Sequence, residues 1–191
     1  VIFGKTNVPL RLPDFQSYND IYGTTHNPWD KGRTPGGSSG GSAAALAAGL
    51  TGIETGSDIG GSIRNPAHFC GVFGHKPTWN LLPPRGHAMP GVRTPADISV
   101  IGPPARSARD LEAALLVMAG PDEIQSRGYS LSLRRLGKPV SALRVAVWSD
   151  DPVGPVSKVV CGRVEAAGAA LRDAGATVDE SSPTEPSNDR A

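Results

Sequence analysis

The sequence predicts an α/β fold class, and three observations carry that expectation. Segments with helical periodicity alternate along the chain with short apolar segments of strand length. The last third repeats the alternation as strand, helix and strand, a β-α-β unit with the usual right-handed crossover. Between them stand two Gly/Ser-rich turns, GGSSGG (36–41) and GSDIGGS (56–62), each followed at once by an apolar segment that must be buried. A flexible linker would have no use for such neighbours.

Taken in order, residues 1–3 read as the end of a strand. Residues 9–35 are rich in Pro, Asn, Asp and Gly and lack periodicity. They read as a long ordered loop that lines a site or covers a core, with Tyr22 and Trp29 packing it down. Ser42 to Leu50 is a helix of small residues, able to lie close against a neighbour, with Gly49 and Gly52 bracketing its end. Thr51 to Thr55 is a short strand. Ser62 to Cys70 is the next helix, closed by Gly71, with Pro66 tolerated because it falls near the first turn. Val72 to His75 is again strand-like.

Residues 79–106 are proline-rich, with one strand at SVIG (99–102) and weak pocket candidates in Trp79, Leu81, His87 and Met89. Ser107 to Ala119 is a helix: Ser107 caps it with Asp110 three residues on, and Leu111, Leu115 and Met118 form its apolar stripe. Gly120-Pro121 ends it. Residues 121–139 look like a linker-like excursion. LRVAVW (143–148) reads as a buried strand. Pro155 to Ala174 is a helix with Val156, Val159, Val160, Val164, Ala167 and Leu171 on one face, and Ala176 to Val178 is the closing strand. The tail 180–191 has no pattern and is expected to be disordered.

Length and charge narrow the function. The 191 residues make one domain or part of a larger one, and a net charge of +1 gives no support to nucleic-acid or membrane-surface binding. No 18-residue apolar run exists. Two cysteines, Cys70 and Cys161, are too few for a disulfide framework and fit reduced thiols in a cytoplasmic protein.

The chemistry is concentrated at Ser62. Gly60-Gly61 lets the backbone turn tightly just before it. A serine at such a corner, beside a row of outward N–H groups, is laid out for attack on a carbonyl with an oxyanion hole alongside. The expected donors are the N–H groups of Ile59, Gly60, Gly61 and Ser62. Asp58 and Arg64 flank the turn and are suited to pair and fix it. Serine needs a base. No G-x-S-x-G elbow is present, and Ser38 and Ser39 on the other turn offer relay hydroxyls, which suggests a Ser–Lys system. Other readings fail. GGSSGGSA lacks the Lys-Ser/Thr of a P-loop, and GSDIGG is not a dinucleotide fingerprint. His68, Cys70 and His75 lack standard zinc spacing, and nothing near Cys70 would activate its thiol. No metal and no cofactor are expected.

The run GGSSGGSAAALAAG followed by GSDIGGSIRNPAHFCGVFGHKPT closely resembles the amidase signature family. The resemblance implies the amidase signature fold, with a mixed β-sheet core flanked by helices, and a single partial domain over 1–191 with its signature core at 35–79. It implies Ser62 as nucleophile and Ser38, 24 positions earlier, as the middle member of a Ser-Ser-Lys triad with a cis peptide bond. Ser39, Asp58 and Arg64 support them. The third member is a lysine upstream of anything in this chain, since Lys5 and Lys76 match other family positions. The chain therefore reads as an internal fragment, inactive or nearly so by itself.

The expected reaction is hydrolysis of a linear carboxylic amide, through an acyl-enzyme, to a carboxylate and ammonia or an amine. A small-molecule amide is the expected partner, with no nucleic acid and no membrane, and homodimerisation left open. Two alternatives stand beside it. One is the A subunit of a glutamine-dependent tRNA amidotransferase, although NLLPPRGHAMPGVRTP does not look like its equivalent there. The other is a remnant without catalysis.

Overall fold

The computed structural model describes residues 2, 4–87, 91, 92, 94, 96–134, 137–151 and 153–180, in two compact units, Val1–Leu133 and Arg134–Ala191. The strand expected over residues 1–3, Met89 and the tail beyond Glu180 lie outside the described residues, apart from Ile2, which is exposed.

The first unit is built on helices α1 (Gly40–Ala47) and α2 (Arg64–Cys70), which pack together. Helix α1 starts two residues before the expected Ser42 and stops short of Leu50. Its residues Gly40 to Leu46 are all buried, because small side chains let it sink among its neighbours. The unit also holds three antiparallel pairs, β1 (Tyr18–Asn19) with β2 (Gly23–Thr24), β3 (Gly56–Asp58) with β5 (Val100–Gly102), and β4 (Phe73–Gly74) with β6 (Pro104–Ala105), of which β4 packs on α2 and β6 on α1. The strand expected at Thr51 to Thr55 is absent. Only Ile53 makes a bridge, to Ala105, and the strand lies instead on the first residues of the second Gly/Ser turn. Pairing with Val100–Gly102 overrides the weak strand propensity of Gly-Ser-Asp.

The long loop of 9–35 is tied down by polar contacts as well as by the buried Pro9 and Pro35. The last carbonyls of a helix lack intrahelical partners. Asn27 Nδ2 donates to the Phe69 carbonyl at 2.9 Å, and the Trp29 indole N–H donates to that of Cys70 at 2.8 Å. Gly71 then ends α2 in the left-handed region (φ 67°), and the Val72 N–H reaches back to Ala67. Tyr22 is exposed and does not pack the loop, contrary to expectation. Helix α3 (Ala108–Met118) follows its sequence signal: Ser107 Oγ accepts the Asp110 N–H at 3.0 Å. Its stripe residues are half-buried, and Ala114 is its one buried position. In the supposed linker, Asp122 accepts the N–H groups of Ile124 and Gln125 and pairs with Arg85 at 2.7 Å, ordering a 3₁₀ turn over Gln125–Arg127.

The second unit is the β-α-β segment. Strand β7 (Arg144–Ala146) runs parallel to β8 (Thr177–Asp179), joined by α4 (Lys158–Asp173). Strand β7 is not buried as expected: only Val145 is half-covered within the strand. One neighbouring strand and one helix cannot cover both of its faces. The inner face of α4 holds Val160, Val164, Gly168 and Leu171, whereas Val159 and Ala167 face outward; the helix begins at Lys158 rather than the expected Pro155, so Val156 lies before it and is exposed. Gly168 sets the packing distance, since a Cβ there would stand 2.9 Å from Val147 Cγ2.

Candidate active site

The two Gly/Ser turns meet. The Ser39 N–H donates to the Ser62 carbonyl at 3.0 Å, so the end of the first turn is hydrogen-bonded to the corner of the second. Ser38, Ser39 and Ser62 are all buried. The peptide bond between Gly37 and Ser38 is cis. Ser39 Oγ reaches toward the Ser57 carbonyl at a long 3.5 Å, and a Cβ on Gly56 would stand 2.7 Å from that hydroxyl. A side chain at position 56 would push the turns apart.

Asp58 organises the Ser62 corner. Its carboxylate is wholly buried at the end of β3 and points into the turn. Oδ1 accepts the Gly61 N–H at 2.8 Å; Oδ2 accepts those of Ile63 at 3.1 Å and Arg64 at 3.2 Å. The Arg64 guanidinium closes the ring in bidentate fashion, Nη2 to Oδ1 at 2.9 Å and Nε to Oδ2 at 3.1 Å. Burial pushes the carboxyl pKa up, but Arg64 and the three backbone N–H groups outweigh it and hold Asp58 below its ordinary range. The same contact raises Arg64 further.

This arrangement revises the expected oxyanion donors. Ile59, Gly60, Gly61 and Ser62 were all candidates, but the Gly61 amide is engaged by Asp58. So are the first N–H groups of the α2 turn, which the sequence suggested would face outward. A buried carboxylate is the nearer and stronger acceptor for them. Ile59, Gly60 and Ser62 remain as candidate donors. Gly61 holds φ 128°, which allows this reversal of the chain before Ser62.

A cavity of about 1010 Å³ opens on the first turn, and its walls include Ser38, Ser39, Ser42, Lys5, Glu54 and His87. Partial burial, and then the nearby Lys5 cation, lowers the His87 pKa. Trp79 and Leu81 line a separate, smaller pocket with Tyr129 and Leu131, and the Trp79 indole donates to the Ala96 carbonyl at 2.8 Å. Burial pushes the Cys70 thiol up to about 11, and its Sγ–H donates to the Pro35 carbonyl, which suits packing rather than attack. Among the described residues, no group of three or more His, Cys, Asp or Glu side chains is gathered as a metal would require. No helix among them is long and apolar enough to cross a membrane.

Two participants were hidden in the sequence. Ser17, in the patternless loop, is wholly buried against the first turn. Its Oγ lies 3.2 Å from the Ser38 carbonyl, 3.3 Å from that of Gly36 and 3.0 Å from the Gly40 N–H. Asn65, on α2, accepts the Gly37 N–H at 3.4 Å. Neither residue carried a local signal, because both act across gaps of 19 or more positions.

Comparison with known proteins bears on the whole chain. The family described as Amidase matches residues 1–189. The A subunit of a glutamyl-tRNA(Gln) amidotransferase from Nitrosomonas eutropha is 42% identical over 184 residues, covering 94% of this chain and 37% of the relative. An amidase of Gibberella moniliformis is 37% identical over 181 residues, covering 93% and 34%. Among solved structures, a fatty acid amide hydrolase superposes with a TM-score of 0.81 at 32% identity, covering 95% of this chain and 32% of that one. The chain thus spans about a third of the length of the relatives it matches.

Proposed function

Because this chain belongs to the amidase signature family, we propose that Ser62 is the nucleophile of an amide hydrolase and Ser38 the hydroxyl that relays its proton. The observation that carries this reading is the Ser39 N–H bond to the Ser62 carbonyl at 3.0 Å, which joins the two serine-bearing turns. Ser62 attacks the carbonyl carbon of an amide. Its proton passes to Ser38, and from there to a basic lysine whose pKa burial lowers from about 10.4. The N–H groups of Ile59, Gly60 and Ser62 hold the tetrahedral oxyanion. The amine or ammonia leaves with a proton, and water then releases the carboxylate from the Ser62 ester. The substrate is a linear carboxylic amide of small size.

A fluorophosphonate probe tests this on the complete gene product that carries the chain. Stoichiometric labelling that disappears in Ser62→Ala is expected. A complete protein that stays unlabelled overturns the reading.

A second reading rests on the 42% identity to the A subunit of an amidotransferase. In it the same serine hydrolyses the side-chain amide of glutamine, and the ammonia passes to a charged tRNA on partner proteins. Glutamine hydrolysis that rises when charged tRNA and those partners are added would favour it over hydrolysis of free amides.

A further inference from the structure

We propose that Ser17 is a positioning residue for the Ser38 relay, an inference that rests on the hydrolase reading above. The hydroxyl of a buried serine has one proton to give and two lone pairs to receive with. Here the Ser17 proton faces the carbonyls of Ser38 at 3.2 Å and Gly36 at 3.3 Å, and its oxygen accepts the Gly40 N–H at 3.0 Å. Those three groups lie before, at and after Ser38. One hydroxyl therefore clamps both arms of the turn.

The space is closed around it. Ser17 is 0% exposed, and a Cβ on Gly40 would stand 2.5 Å from its Oγ. Loss of the clamp leaves two carbonyls and an amide without a buried partner and lets the Ser38 backbone shift. A relay acts over hydrogen-bond distances, and a shift near 1 Å can slow proton transfer by about 100-fold. Ser17 itself touches neither substrate nor the proton in flight.

The test is the kinetics of fluorophosphonate labelling in the complete gene product. Ser17→Ala is expected to lower the labelling rate constant by about 30-fold while the final stoichiometry stays at one. Gly40→Ala, which keeps the hydroxyl but displaces it, is expected to do the same. A wild-type rate constant in both variants overturns the proposal. Reduced stoichiometry with an unchanged rate constant for the labelled fraction also overturns it, because Ser17 would then only help the protein fold. If Ser17→Ala yields no folded protein, Gly40→Ala decides alone. An unlabelled wild-type protein overturns the hydrolase reading itself, and this inference falls with it.

Discussion

At the scale of single residues, Asp58 holds the site together. It accepts three backbone N–H groups and a bidentate guanidinium while wholly buried. Asp58→Asn keeps the shape but replaces one acceptor oxygen with a donor, which then faces the Gly61 N–H or the Arg64 donors. We expect a loss of about 2 kcal/mol in denaturant unfolding, below the full cost of breaking a buried pair because Arg64 is half-exposed. The corner before Ser62 loosens too, so the labelling rate falls as well. The pH dependence follows from the direction of the shift. The folded carboxyl titrates below its ordinary 3.8, so Asp58 stabilises the fold fully above that value. That contribution is lost as pH falls through the lowered folded pKa. Acid unfolding of the wild type, compared with Asp58→Asn, is expected to show the wild-type advantage shrinking below about pH 4. An advantage that stayed constant down to pH 2 would show that the carboxylate is not the source.

Elements show which features of the fold were legible in the sequence. Helix α3 was, because a cap acts within four residues: Ser107 and Asp110 meet as their spacing implies. Ser107→Ala is expected to lower stability by about 1 kcal/mol. Helix α2 was legible through Gly71 and Pro66, though it begins two residues later than expected. Strand β3 was not, since Gly-Ser-Asp becomes a strand only by pairing with residues more than 40 positions away. The covered face of α4 was half legible: apolar periodicity marks a stripe, but it cannot say which valines a thin two-stranded sheet will cover. Two glycines of α4 make that face testable. Gly168 sits against Val147, whereas nothing lies within 4 Å of a Cβ on Gly162. Gly162→Ala is expected to stabilise the second unit by about 0.8 kcal/mol through helix propensity. Gly168→Val is expected to destabilise it by about 2 kcal/mol through overpacking. Thermal unfolding followed by circular dichroism reads both; the same sign for the two would mean that α4 does not pack through Gly168.

At the scale of the whole molecule, the serine turns were legible because their runs of glycine and serine mark them locally, although the contacts that join them act between distant positions of the chain. What the turns open onto was not. The cavity beside Ser38 takes its walls from residues as distant as Lys5 and Ile101, and it includes the exposed side chains of Ile2, Leu50 and Ile53. Exposed apolar side chains gathered around one cavity are a surface suited to cover by a further segment. The relatives are nearly three times as long as this chain, and the proposed mechanism requires a buried lysine beside Ser38. The 191 residues expressed alone are therefore expected to bind a hydrophobic dye strongly. They are also expected to react with a fluorophosphonate at least about 1000-fold more slowly than the complete gene product, since loss of a general base removes about that much. Measuring dye fluorescence and labelling rate on both proteins side by side separates the two effects. Strong dye binding with slow labelling places the base outside these residues. Labelling at the full rate would place it inside them, and Lys5, which shares the cavity wall with Ser38, would then be the lysine to substitute first.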